Sequence, residues 1–248
     1  MFMEMAVDIK GILKLIQERH SSRGSFDRKR PLARQDLKRI LEAARWAPTA
    51  HNMQNFEILV VDDKEVLEKI GKIKYRTSEE FIRENYQQLS FSEEELRKKK
   101  VGILGTGFPP SWRTPGANFE KVARESGNSL LEYRIQDSPV LLIVVYDARK
   151  RAPASEGDVL GFMSLGCVME NMWLMAQSLG IGFHILSVFS ADDVERGVKR
   201  ILNAPGYMKI AFACRLGYPV SARAKYPRVR RDAEAFGHHN RFGNKGLD

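Results

Sequence analysis

Cysteine is scarce in this sequence: there are two in 248 residues, Cys167 and Cys214, each in an apolar run and without a CxxC partner. That excludes a disulfide framework and predicts buried thiols in a reducing compartment. Long hydrophobic runs are also missing. No apolar stretch reaches the roughly 18 uninterrupted residues of a membrane span. The longest candidate, VLGFMSLGCVMENMWLMAQSLG, is broken by Glu170, Asn171 and Gln177. The opening MFMEMAVDIK has no basic region ahead of an apolar core, so no signal peptide is expected and the cytoplasm is the expected location. No membrane partner is expected.

The familiar catalytic signatures are absent too. There is no Walker loop, and GFMSLG has one residue too many before its serine for a nucleophile elbow. His238 and His239 stand side by side in a polar tail without HExxH or cysteine spacing, so they read as surface histidines and no metal is expected. GILGTG at 102–107 tempts one towards a dinucleotide fingerprint. The glycine order is wrong, and Pro109 and Pro110 stand where a helix should start.

What the chain has is positive charge. Its formal net charge is +9, with the excess clustered in RKKK at 97–100 and ARAKYPRVRR at 222–231. Such a balance favours anionic ligands. Nucleic acid is the rival reading, but neither a recognition helix nor interleaved stacking aromatics accompany the basic runs. A hydrophobic content of 43% with 29% charged residues suits a globular protein with a sizeable core.

Apolar spacing predicts helices over 7–18, 31–47, 63–71, 78–100, 119–136, 156–179 and 190–202, the last capped by Ser190. The segment 156–179 is apolar on nearly every side and reads as a central buried helix. Strands are predicted at 56–62, 139–147, 182–189 and 207–219, with PVLLIVVYD buried on both faces. Residues 102–118 read as a loop whose Phe108, Trp112 and Phe119 suit either a lid or simple packing. Without regular βαβ alternation the class is α+β around one central sheet. The polar tail after 219 is long, as in chains that wrap a partner subunit, although a loose end would look the same.

Three polar islands adjoin the apolar elements: RHSSRGS (19–25), APTAHNMQN (47–55) and KYPRVRR (225–231). Guanidiniums and hydroxyls suit a phosphate, and amides suit the edge of a heteroaromatic ring. Together they hint at a nucleotide-like cofactor. Each island also has a plain reading: Arg19 and Arg23 as charges at a helix C-terminus, Asn52 and Gln54 as solvated loop residues, Arg228 and Arg230 as a soluble tail. His184 reads as a core or interface histidine.

Four segments in order resemble the nitroreductase-like FMN enzymes. RHSSRGSF resembles that family's Arg-x-Ser-x-Arg opening, and LKRILEAARWAPTAHNMQNFEILVV its helix, Ala-Pro-Ser-Ser turn and following strand. ENMWLMAQSLGIGFHILSVF resembles its central helix and the strand beneath the flavin, and ACRLGYP with PRVRRDAEAFGHHNR its closing strand and basic tail. The matches span residues 12–242, with none in 72–130.

The resemblance implies one domain over 1–248 with a central, mostly antiparallel sheet flanked by helices, in an intertwined homodimer. Residues 72–130 would form a lid or insert, and 219–248 would wrap the partner subunit. It implies FMN as cofactor and NAD(P)H as electron donor. The implied reaction is ping-pong hydride transfer to a small-molecule electron-poor acceptor such as a nitroaromatic or quinone. Arg19, His20, Ser21 and Arg23 would meet the phosphate, the ribityl chain and the N1/O2 edge, with Arg19 at the phosphate and Arg23 at the ring. Pro48, Thr49, Ala50, Asn52 and Gln54 would approach the same flavin from the other subunit. Leu186 and Ser187 would lie along the ring, the Ser187 N–H facing N5, and Arg228 and Arg230 would complete the phosphate site. The chain departs from the pattern at Ala50, which loses a hydroxyl, and at Asn55-Phe56, where Pro-Trp is common. Relatives on this fold that dehalogenate or fragment reduced flavin are the alternative, as is a flavin- or nucleic-acid-binding protein without turnover.

Overall fold

The structure, a computed structural model, describes residues 8–75, 78–84, 86, 89–113, 116–153, 157–221 and 227–245, without the side chains of 126–130 and 133. The expectations that fall on Val7, on 156 and on the basic run 222–226 lie outside these residues. In chain order the elements are α1 (Ile9–Glu18), α2 (Arg34–Arg45), β1 (Phe56–Val61), α3 (Lys64–Gly71), α4 (Glu79–Arg83), β2 (Ser90–Phe91), α5 (Glu93–Lys99) and β3 (Ile103–Leu104). There follow α6 (Pro110–Arg113), α7 (Phe119–Gln136), β4 (Val140–Asp147), α8 (Val159–Ser178), β5 (Gly182–Ile185), α9 (Asp192–Ile201), β6 (Met208–Gly217) and α10 (Ala233–Phe236). The chain forms two compact units, one of Met1–Tyr75 with Asn128–Ala222, the other of Arg76–Gly127 with Arg223–Asp248.

The first unit holds a four-stranded sheet of order β1-β4-β6-β5, antiparallel at every pairing. Successive side chains of a strand point to opposite faces, and β4 uses both. Val140, Leu142 and Val144 enter a core with α2 and α8, around Ile40, Val168, Met172 and Ala176. Leu141, Ile143 and Val145 enter a second core with α3, α7 and α9, around Ile70, Leu131, Phe189 and Val194. This explains why β4 reads as an unbroken apolar run. Cys214 is buried in the first core, and burial pushes its thiol well up from the ordinary value; Cys167 is only half-buried, and both are free.

α8 is long and apolar enough, by length and composition alone, to cross a membrane. Its Leu165, Val168, Met172 and Trp173 are core residues, as expected of a central helix. Its N-terminal part is not buried within the chain: Val159, Phe162 and Met163 are exposed, as are Ile9, Ile12, Leu13 and Ile16 of α1. Here the expectation of a central buried helix is corrected for its first turns, which the described residues leave exposed.

Two further expectations change. The strand predicted over 182–189 stops at Ile185, and Ser187–Ser190 form a 3-10 turn closed by the Ser190 hydroxyl donating to the Ser187 carbonyl at 2.7 Å. Ser190 therefore does not cap α9; Ala191 holds that position without a side-chain bond.

In the second unit the single helix predicted over 78–100 is broken by the β2 strand, whose two residues pair in parallel with β3. Ser92 and Glu95 form a capping box that starts α5 afresh, and its hydrogen bonds hold the Glu95 carboxyl below its ordinary value. Gly102, at a φ of 85°, follows; a Cβ there would lie 2.5 Å from the Leu89 carbonyl oxygen. The aromatic residues of the 102–118 segment pack on one another. Trp112 is buried with Ile82 and Ala123, stacked on Phe108 at 5.6 Å and edge-on to Phe81 at 6.5 Å. They make a small core of their own.

Candidate functional site

The turn after α1 is held from several sides. Arg19 ends α1, its N–H donating to the Leu15 carbonyl at 3.0 Å. Its guanidinium lies 4.4 Å from the Trp173 ring centroid, and its Nε is 2.9 Å from the Glu170 carboxylate. Trp173, stacked at 5.3 Å on Phe183, donates from its indole N–H to the His20 carbonyl at 3.1 Å. α8 thus grips the start of the turn through Glu170 and Trp173, one helical turn apart on one face.

The rest of the turn is built against β5 and β6. The Ser22 N–H donates to Phe183, that of Asp27 to Tyr218, and the Val220 N–H to the Ser25 carbonyl. Phe26 is buried over Gly182 and Gly217, which are partners across the two strands. A Cβ on either glycine would come within 2.6 Å of the ring, so the sheet is bare there because the ring occupies the space. Arg215, only 2% exposed, lies under the turn with its guanidinium 4.5 Å from the Phe26 centroid. Its Nε donates to His184 Nδ1 at 3.1 Å and its Nη1 to the Arg134 carbonyl at 3.3 Å. Its Nη2 is 2.6, 3.0 and 3.4 Å from the carbonyl oxygens of Gly24, Arg23 and Ser22. Arg134 Nη1 also donates to the Arg23 carbonyl, at 3.0 Å.

His184 faces Arg215 across the strand pair and is 8% exposed. Burial, then the charges of Arg215, Arg134 and Arg23, push its imidazole down to about 2 from an ordinary 6.5. The ring is neutral, accepts at Nδ1 and carries its proton on Nε2. It is a core histidine and has no place as an acid at neutral pH.

The second polar island is organised differently. His51, Asn52 and Gln54 have positive φ of 49°, 53° and 42°, an unusual concentration for residues other than glycine. The Ala50 N–H donates to Ser164 Oγ of α8 at 3.0 Å, and the Gln54 N–H to Thr49 Oγ1 at 3.3 Å. Gln54 Nε2 donates to Asn52 Oδ1 at 2.7 Å. Pro48, Asn52 and Gln54 are exposed, while Thr49 and Ala50 are half-buried. Non-glycine backbone held in this region is a feature of functional sites.

Of the remaining expected residues, His20 and Ser21 are half-buried and Arg23 is exposed. Ser187 is exposed at the end of β5, but the Leu186 side chain is buried in the second core and its N–H donates to Ala213, so Leu186 offers no side chain to a ligand. Arg228 is half-buried and Arg230 exposed, both in the second unit. Arg215, Phe26, Glu170 and Trp173 had not been expected to shape the turn. A readable signal existed for Arg215, a charge two residues from Ala213 in a strand face otherwise turned to the core.

A four-stranded antiparallel sheet with helices on both faces and a braced basic turn beside β5 defines the class, an α+β protein of nitroreductase fold. Residues 16–218 match the model of the Nitroreductase family, and the chain belongs to that family. It is 22% identical over 231 residues to an NADPH-dependent oxidoreductase of Staphylococcus aureus (strain USA300), covering 93% of this chain and 74% of that protein. Among solved structures it is similar to an FMN-dependent nitroreductase of Clostridium difficile R20291, with a TM-score of 0.58, 18% identity, and coverage of 93% of this chain and 99% of that one. A nitroreductase with bound FMN from Bacteroides fragilis NCTC 9343 gives 0.53 at 23% identity, with coverage of 88% and 94%.

Proposed function

We propose that this protein is an FMN-dependent oxidoreductase that takes electrons from NAD(P)H and passes them to a small electron-poor acceptor such as a nitroaromatic or quinone. The observation that carries this reading is the braced 19–27 turn in a member of the nitroreductase family. A frame of buried groups presents Arg19, Ser21 and Arg23, a donor set suited to a phosphate and to the electron-rich edge of a ring. The cofactors named for the FMN-bound and NADPH-dependent relatives agree with it.

When bound, FMN would supply the hydride chemistry, accepting from the nicotinamide and donating to the acceptor. The chain's residues bind and orient. Glu170 and Trp173 fix the direction of Arg19, which would hold the phosphate. Arg23 would lie at the ring edge, where a positive charge favours the reduced, anionic form. Ser187, exposed where β5 gives way to the 3-10 turn, would present its backbone N–H. Asn52 and Gln54 would offer amides to a flavin on a second copy of the chain. Arg228 and Arg230 are assigned to the phosphate on the sequence resemblance.

The second copy is supported by the apolar faces that the described residues leave uncovered, Ile9, Ile12, Leu13 and Ile16 on α1 and Val159, Phe162 and Met163 on α8. Sedimentation at micromolar concentration is expected to give a dimer.

A yellow preparation, or uptake of FMN by the apoprotein, tests the cofactor, and anaerobic titration with NADH and with NADPH tests the donor. A colourless protein that takes up no FMN would falsify the reading. Flavin that neither nucleotide bleaches would move the assignment to a specialised reaction on this fold.

A further inference from the structure

We propose that Arg215 is the positioning residue of the flavin turn, its guanidinium fixing the carbonyls of Ser22, Arg23 and Gly24 and through them the placement of the Arg23 side chain. The inference rests on the FMN reading above. Each nitrogen of Arg215 serves a different element: Nε the β5 strand through His184, Nη1 the end of α7 through Arg134, and Nη2 the turn. A planar, forked cation serves the three elements from three separated nitrogens; the three donors of a lysine ammonium all sit on one atom.

A core that required only stability would fill this place with an apolar side chain, which is often neutral or better than a buried charge. The choice of acceptors also matters. Two of the three directions could be met by any donor, but three consecutive carbonyls converging on Nη2 fix the path of the backbone, not merely its proximity. The neutral ring of His184, with Nδ1 as acceptor, keeps the fork from rotating. Phe26 closes the stack from the side of the turn.

The experiment compares wild type with Arg215→Met and Arg215→Lys in the full-length protein. In Arg215→Met, amide exchange of Ser22, Asp27 and Val220 in the apoprotein is expected to quicken at least tenfold. FMN affinity is expected to fall at least tenfold, and the midpoint potential of the flavin that still binds to move to a more negative value. Arg215→Lys is expected to recover part of the affinity and little of the potential. A role confined to stability would lower the melting temperature and leave the potential of bound flavin unchanged; that result overturns the proposal. So does unchanged exchange of the three amides. If wild type itself binds no FMN, the functional reading falls, and the exchange data alone decide whether Arg215 sets the turn. Should Arg215→Met fail to fold, His184→Leu, which removes only the Nε acceptor, is expected to give the same changes on a smaller scale. No change there is equally decisive against.

Discussion

The turn at 19–27 and the turn at 49–55 both adjoin α8, and they are held by opposite means. The first is braced from below by Arg215, with Phe26 seated on two facing glycines. Its backbone is spoken for, and Arg23 is left on the surface. The second is tethered to α8 through the Ala50 bond to Ser164 and depends on three residues of left-handed backbone. Its amides bond to each other. The contrast teaches that charge is presented here from a rigid frame, and amides from a strained and lightly held one.

The comparison can be broken or sharpened by substitution. The largest effect is expected for Arg19→Ala. Losing a charged hydrogen bond at the phosphate costs about 1.5–3 kcal/mol, a rise of roughly tenfold to a hundredfold in the FMN dissociation constant. Fluorescence titration reads it directly, and full retention of affinity would remove Arg19 from the site.

Next comes pH. The folded value of His184, about 2, lies below the 6.5 of the unfolded chain, so the unfolded state takes up the proton first. The stability contribution is complete above about pH 6.5 and is lost as pH falls from there towards 2. Between pH 7 and 5 the loss is on the order of 2 kcal/mol. Denaturant melts at the two pH values should show it, and His184→Gln should flatten the dependence. Arg215, Arg134 and Arg23 are the charged groups that face this imidazole.

On the other turn, Ser164→Ala strands the Ala50 N–H and is expected to cost about 1–2 kcal/mol in thermal melts. A loss of flavin affinity larger than the loss of stability would tie this turn to the cofactor. The smallest effect is expected for Gln54→Gly: relief of the left-handed strain, partly offset by the freer unfolded chain, should leave a gain of about 0.5 kcal/mol. Lower FMN affinity in this more stable variant is expected from loss of the Gln54 amide, and full retention of affinity would remove Gln54 from the site.

Much of this was legible in the sequence. The β4 run and the apolar spacing of α2, α3 and α9 depend on local periodicity, and the order of the polar islands identified the family. What was not legible depends on partners far along the chain. Arg215 reads as one odd charge in a core strand until its parity with Ala213 and its cross-strand partner His184 are known. Leu186 belonged to a matched segment, yet its side chain follows the second core. The aromatic residues at 108 and 112 could not be assigned from spacing, because the cover they find comes from α4 and α7. The exposed start of α8 is at least as apolar as the rest of the helix, so composition gives no sign of its exposure.

The distance along the chain between the first turn and its brace has a consequence for how the protein is made. Arg215 bonds to Gly24 across 191 residues, and Trp173 to the His20 carbonyl across 153. Contacts of such separation form late, after the entropy of closing a very long loop has been overcome. During synthesis the basic turn therefore emerges early, but it cannot take its final path until β6 has left the ribosome and paired with β5. The segment that stands out first in the sequence is among the last to take its shape.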